Sequence, residues 1–302
     1  MDEFDLIRRF FTRAPGAGVV QGPGDDAALI EPAPGRQLVV TTDTLVENRH
    51  FPADLDPADI GWRALAANLS DLAAMGAEAR WCLLALTLPE ADETWLQAFS
   101  TGFFELADAA GVQLVGGDIN QGPLSITVQA LGEVEPGRAL TRTGARPGER
   151  LCIGGVPGEA AAGLQLWWRG ERGGPLVERF RRPRPQLELG CALRGRASAC
   201  IDISDGLLAD LAHLLGDDRG ARLDTAQWPV SEALQAWPAE ERRALQCGGG
   251  DDYLLLFTLP DDQPLPAGCH TMGLVTAEPG TQLFDERGAL LPPVDPGWKH
   301  FH

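Results

Sequence analysis

Six short segments of the chain set aspartate beside glycine or a small hydroxyl residue: Gly24-Asp25-Asp26-Ala27-Ala28, Thr41-Thr42-Asp43-Thr44, Asn68-Leu69-Ser70-Asp71, Gly116-Gly117-Asp118, Asp202-Ile203-Ser204-Asp205-Gly206 and Gly249-Gly250-Asp251-Asp252. Carboxylates next to residues that let backbone come close are what a site for hard cations and phosphate requires. Taken singly, each segment is an ordinary turn or cap: Asp205, followed by Gly206 and a helical run, reads as an N-cap, and Asp25-Asp26 after Pro23-Gly24 reads as a turn. Taken together they gather acids with few bases nearby, and such acids repel one another. Magnesium resolves that conflict, because it prefers carboxylate, hydroxyl and phosphate oxygens. Thr41 and Thr42 could add hydroxyl or carbonyl ligands beside Asp43, and Gly116 and Gly117 would let backbone N–H groups reach phosphate oxygens just before Asp118. The chain contains no G-x-x-x-x-G-K-[ST] phosphate loop.

These residues need elements to hold them, and helical and strand patterns alternate along the chain. Phe4, Ile7, Phe10 and Phe11 fall on one helical face, predicting a short helix over 3–12 with Asp2 as its cap. Gln37 to Thr42 reads as a strand delivering Thr41, Thr42 and Asp43 at its end. The Ala/Leu-rich stretch from Ile60 to Met75, after an Asp59 cap and before Gly76, reads as a helix on which Asn68 and Asp71 share a face. Trp81–Leu88 reads as strand, Glu93–Ala110 as helix ended by Gly111, Val112–Val115 as a strand running into Gly116-Gly117-Asp118, and Leu124–Val134 as strand. A Gly/Arg/Pro-rich stretch, Pro136 to Arg150, marks a domain junction. Beyond it, Gly158–Trp168 and Asp205–Leu215 read as helices, and Ala199–Ile203 and Tyr253–Leu259 as strands. Asp43, Asp118 and Asp202 are thus expected at strand ends, where α/β proteins collect ligands. His50 by itself reads as an exposed loop histidine, Trp298 as a packing residue, and Arg181-Arg182-Pro183-Arg184-Pro185 as a solvated helix entry.

At 302 residues, with 44% hydrophobic and 23% charged residues, the chain has room for two folded domains. A formal net charge of -18 argues against direct nucleic-acid or anionic-membrane binding, and an acidic protein handling anionic substrates needs bridging cations. Six scattered cysteines with no CxxC pair give neither a zinc ribbon nor a disulfide framework, and read as buried thiols of a reducing compartment. The start, Met1-Asp2-Glu3-Phe4-Asp5, is acidic where a signal peptide is basic, so a cytoplasmic location is expected.

The order and wording of the segments resemble the thiamine-monophosphate kinase family. The resemblance is carried by GDDAA (24–28), TTDTLVENRHF (41–51), ALAANLSDLAAMGA (64–77), LVGGDIN (114–120), LTRTGARPGE (140–149), IDISDGLLADL (201–211) and GGGDDYLLLF (248–257), and covers nearly the whole chain. That family shares a superfamily with aminoimidazole ribonucleotide synthetase and selenophosphate synthetase. The resemblance implies an α/β (α+β) fold of two domains. Residues 1–136 would form a metal- and ATP-binding domain that pairs through β-strands in a homodimer, and residues 137–302 a domain closing the active site. The implied reaction passes a phosphoryl group from ATP directly to thiamine monophosphate, with several magnesium ions as cofactors.

By the same resemblance, Asp26, Thr41, Thr42, Asp43, Asp71, Asp118, Asp202 and Asp205 would hold metal, with Asp43, Asp71, Asp118 and Asp205 carrying the chemistry. Gly117, Asp118, Arg142 and Ser204 would contact ATP, and His50, Asp251 and Trp298 would face thiamine phosphate. One position departs from the family: Asp251 stands where the motif has glutamate, so the substrate contact there is lost, mediated by water, or taken by Asp252. Two other readings compete. One is another ATP-dependent synthetase of the superfamily, which the wording around His50 and Asp71 opposes; the other is a catalytically silent nucleotide-binding module, which the full set of acids opposes.

Overall fold

The computed structural model describes residues 3–295 and 297. Trp298 therefore lies outside the described residues, as does Asp2. The chain divides into two compact units, one formed by Met1–Leu72 and Ala77–Gly137, the other by Ala73–Gly76 and Arg138–His302.

The first unit opens with α1 (Glu3–Leu6), which continues as a wider π turn over Ile7–Phe11 and buries Phe10 and Phe11. Strands β1 (Val19–Gln21) and β2 (Leu29–Ile30) pair as a small ribbon. The main sheet is built from β3 (Gln37–Val46), β4 (Glu78–Leu88), β5 (Gln113–Gln121) and β6 (Ser125–Val134), in the order β3-β6-β4-β5. Helix α2 (Pro57–Ala74) leads into β4, and α3 (Glu93–Ala110) is the crossover that lets β4 and β5 run parallel. Helix α3 has the predicted bounds because both ends are written locally: Asp92 accepts from the N–H groups of Thr94 and Trp95, and Gly111 closes it in the left-handed conformation. The two helices meet at glycines. A Cβ on Gly61 would lie 2.2 Å from the Phe99 carbonyl oxygen, and one on Gly102 would lie 1.8 Å from that of Ala58. This close crossing drives Phe99, Phe103, Leu65 and Leu69 fully into the core, each side chain worth roughly 1.5–3 kcal/mol of burial.

Three expectations are corrected in this unit. Strand β3 does not end at Asp43 but runs on to Val46, because Thr44 and Val46 still pair with Thr127 and Ser125. Asp118 and its two glycines likewise lie inside β5, paired with Leu83 to Ala85, rather than after it. Asp59 does not cap α2; it sits buried in the first turn, and Asp56 takes the cap by accepting from Ala58 N–H at 2.8 Å.

The second unit is a six-stranded sheet, with β7 (Arg150–Ile153), β8 (Ala199–Asp202), β9 (Gly220–Asp224), β10 (Leu255–Leu259), β11 (His270–Thr276) and β12 (Gly280–Phe284) in the order β12-β9-β11-β7-β10-β8. Around it lie α4 (Glu159–Trp168), α5 (Pro175–Arg181), α6 (Leu187–Leu193), α7 (Leu207–Leu215), α8 (Glu232–Gln235) and α9 (Ala239–Gly248). Leu151, Ile153, Ile201 and Leu256 face one apolar cluster with Leu207, Leu211 and Leu214 of α7, while Cys152, Cys200 and Phe257 face a second with Leu193 of α6. Covered on both faces, β7, β8 and β10 are apolar at nearly every position. The free edge of β8 is partly capped by the 141–144 loop, whose Thr141 carbonyl accepts from Cys200 N–H at 2.9 Å.

Corrections here are local. The arginine run is a helix exit, since Arg181 is the last residue of α5 and Pro183 is buried. Helix α7 begins at Leu207 rather than Asp205, and β10 at Leu255 rather than Tyr253. The six cysteines are free; five are buried and Cys191 is half-buried. Burial pushes the thiols of Cys152 and Cys269 up to about 11, which leaves them inert.

Candidate active site

In the first unit Asp43 and Asp71 come together where β3 meets α2. Alternation along β3 leaves Leu38, Val40, Thr42, Thr44 and Val46 exposed and turns Thr41 and Asp43 the other way. Thr41 Oγ1 donates to Asp71 Oδ2, and the Asp43 backbone N–H donates to Asn68 Oδ1 at 3.1 Å. Asn68 and Asp71 thus share a helix face, as their spacing predicts, and that face meets the Thr41/Asp43 side of β3. Asp43 and Asp71 also contact each other. Burial first, then the charge of Asp71 and a hydrogen bond to it, push the Asp43 carboxyl up to about 6.

Thr42 is placed differently from Thr41. Its hydroxyl is on the opposite face and donates to the Val128 carbonyl at 3.1 Å, so the two threonine hydroxyls do not converge. Gly117 lies in one cross-strand row with Leu84, Val128 and Asp43, whereas Asp118 lies in the next row with Ala85, Thr127 and Thr44. At φ 154°, a Cβ on Gly117 would lie 1.8 Å from the Leu84 carbonyl oxygen, so this position admits only glycine. Asp118 Oδ2 accepts from Asn120 Nδ2 on the same exposed stretch of β5. Asp26 is exposed in the loop between β1 and β2. His50 closes a turn after β3 in which its Nδ1 accepts from Val46 N–H at 3.0 Å, leaving Nε2 as the nitrogen that carries the neutral ring's proton.

In the second unit, Asp202 is buried at the end of β8, the one acid of the expected three that does terminate its strand. Ser204 and Asp205 follow in a loop that Asp210 organises. A single oxygen, Asp210 Oδ2, accepts from the N–H groups of Ser204, Asp205 and Gly206 at 3.0, 3.1 and 3.1 Å. Asp205 is therefore not the cap of α7; the carboxylate serving the helix start comes from inside the helix. Arg142 is exposed on the loop tethered to the edge of β8 through Thr141.

The 249–253 segment is stitched to the same loop, with Asp251 N–H donating to the Ser204 carbonyl and Tyr253 N–H to that of Ile203, each at 2.9 Å. Asp251 and Tyr253 both have positive φ, 63° and 50°, a backbone cost typical of functional turns. The Tyr253 phenol donates to Asp251 Oδ1 at 3.2 Å. Asp252 does not stand in for the family glutamate. It is buried and accepts from Gly158 and Ala160 N–H at the start of α4, and burial pushes its carboxyl up to about 7.

Among the described residues, no three acidic, histidine or cysteine side chains converge as a ready-made metal cage. The Asp43–Asp71 pair nonetheless fits a hard cation: two carboxylates in contact, one of them driven toward protonation, with a threonine hydroxyl beside them. Asn120 and Asp210 are residues that sequence reading left out of the site, and Asn68, placed there only on the face of Asp71, was given no partner. Asp210 carried a usable signal, an acid in the first turn of a helix that follows Asp-Gly.

Residues 24–134 match the family described as AIR synthase related protein, N-terminal domain. Over 270 residues the chain is 46% identical to the thiamine-monophosphate kinase of Escherichia coli (strain K12), covering 86% of this chain and 83% of the relative. The crystal structure of thiamine-monophosphate kinase from Stenotrophomonas maltophilia K279a superposes with a TM-score of 0.84 at 41% identity, covering 93% of this chain and 94% of that one. AaThiL complexed with AMPPCP and TMP superposes with a TM-score of 0.80 at 31% identity, covering 92% and 91%. The two α/β units thus have the AIR-synthase-like fold, and the chain belongs to the thiamine-monophosphate kinase family.

Proposed function

We propose that the chain transfers the terminal phosphoryl group of ATP directly to thiamine monophosphate, giving thiamine diphosphate and ADP. The observation that carries this reading is the Thr41–Asp71–Asp43–Asn68 cluster, set in a chain that matches thiamine-monophosphate kinases over most of its length. A structural relative at 31% identity is a complex with AMPPCP and TMP, an ATP analogue and the acceptor.

The acceptor is a phosphate monoester with a second pKa of about 6, largely dianionic at neutral pH, so no strong general base is required. The protein's task is to align two anions that repel each other. Magnesium, when bound, supplies charge neutralisation for the attacking and leaving oxygens. Asp43 and Asp71 would hold it, with Asp26, Thr41, Asp118, Asp202 and Asp205 as further ligands and Thr42 contributing through its carbonyl. Thr41 fixes one oxygen of Asp71, and Asn68 anchors the backbone that carries Asp43, so one carboxylate and the main chain of the other are held before substrate arrives. Gly117, Asp118, Arg142 and Ser204 would contact ATP, the guanidinium offering a forked donor to phosphate oxygens.

His50, through Nε2–H, and Asp251, steadied by Tyr253, would contact thiamine phosphate, and Trp298 would stack on its cationic ring. The exposed row Leu38, Val40 and Val46 on β3, an edge strand, supports pairing with a second copy as a homodimer. Among the described residues no helix is long and apolar enough to cross a membrane, and the free cysteines accord with the cytoplasm as the place of action. Incubation with ATP, magnesium and thiamine monophosphate, followed by chromatography, should give thiamine diphosphate and ADP in equal amounts. ADP without thiamine diphosphate would instead indicate a synthetase acting on another acceptor, and ATP binding without turnover a silent module.

A further inference from the structure

We infer that Asp210 is a positioning residue for the nucleotide, one that sets the shape of the Ser204–Gly206 loop through the placement of a single acceptor oxygen rather than through its charge. The inference rests on the proposed kinase reading, in which Ser204 contacts ATP and Asp205 holds metal. Asp210 is 4% exposed. Its Oδ2 gathers three successive backbone N–H groups at 3.0–3.1 Å, a convergence that curls the loop around that oxygen and fixes the directions in which the Ser204 and Asp205 side chains leave the backbone.

The carbonyl side of the loop is held independently. Asp251 N–H donates to Ser204 O, and Gly250 packs so close that a Cβ there would lie 2.4 Å from the same oxygen. With both sides fixed, a displacement of the Asp210 oxygen has to be absorbed by the loop.

Charge and geometry make opposite forecasts for two substitutions. Asparagine can place its Oδ1 where Asp210 Oδ2 now sits and keep all three bonds while losing the charge. Glutamate keeps the charge near the start of α7, where a helix dipole favours it, but carries the oxygen one methylene further. The test measures KM for ATP and for thiamine monophosphate with saturating magnesium, together with melting temperatures, for the full chain and for Asp210→Asn and Asp210→Glu. Wild type is assayed first, so that failure of the kinase reading shows before any variant is compared.

Asp210→Asn should keep both constants within about threefold of wild type, and Asp210→Glu should raise KM for ATP by about tenfold or more while moving that for thiamine monophosphate by less than about twofold. If the glutamate variant does not fold, Asp210→Ser, whose hydroxyl cannot reach all three N–H groups, takes its place with the same expectation. The opposite ranking, with Glu or Ser tolerated and Asn damaging, overturns the inference. So does a parallel rise of both constants, which a merely structural role would produce.

Discussion

Replacing Asp43 by asparagine should make the metal-free protein more stable while abolishing its activity. Asp43 shares a partly buried space with Asp71, and burial together with that neighbouring charge carries its carboxyl from the ordinary 3.8 to about 6. At about 1.4 kcal/mol for each tenfold change, holding Asp43 ionised at pH 8 costs the folded state about 3 kcal/mol, or about 1–3 kcal/mol once solvent screening at this partly exposed group is allowed for. The sign follows from proton binding. The unfolded chain loses this proton near pH 4, whereas the folded chain keeps it to about 6, so wild-type stability falls as pH rises across that window and is flat above it.

Asparagine carries no such penalty, its amide can donate to Asp71, and the Asn68 bond to the backbone of residue 43 is untouched. Thermal unfolding of wild type and Asp43→Asn in a chelator, at pH 8 and pH 5, reads the effect. The variant should melt higher at pH 8, with about half of its advantage remaining at pH 5, and magnesium should raise the wild-type transition more than the variant's. A variant no more stable than wild type at pH 8, or one with an equal advantage at both pH values, would refute the argument that Asp43 is held in unfavourable ionisation awaiting a cation.

Other expectations follow from the same geometry. Gly117→Ala forces a methyl group to within 1.8 Å of the Leu84 carbonyl oxygen, so β5 must separate from β4, with a loss of about 2 kcal/mol or more in a denaturant titration. Asp252→Ala strips two buried N–H groups of their acceptor; stability should fall by about 2–4 kcal/mol, with faster amide exchange at Gly158 and Ala160 than elsewhere in α4. Val40→Lys puts a charge in the middle of the exposed row of β3, and light scattering should show the proposed dimer shifted to monomer; an unchanged mass would move the pairing surface elsewhere.

Elements whose boundaries are written in local chemistry were legible from the sequence. The end of helix α3 at Gly111 was written in the sequence, and the placing of Asn68 with Asp71 on one face of α2 followed from helical spacing alone. The errors arose where distant backbone decides. Asp43 and Asp118 read as residues beyond strands because Asp and Gly favour turns, yet each is held in its strand by ladder bonds to β6 or β4 that no local pattern announces. Asp205 had the local look of a cap, but Asp210 took that place by folding its side chain back over the start of α7. Asp252 looked free to replace the family glutamate because its partners, Gly158 and Ala160, lie about ninety residues away in the chain. Residue types that could serve a cation and phosphate site were visible in the sequence, whereas which of them touch one another is decided by segments far apart in the chain.

Direct phosphoryl transfer is the central claim, and its stereochemistry tests it most closely. ATP made chiral at the terminal phosphorus should yield thiamine diphosphate with inverted configuration, all of the transferred group appearing on thiamine monophosphate and none on the protein, as a single in-line displacement between two aligned anions requires. Retention of configuration, or release of the group as inorganic phosphate, would contradict the account.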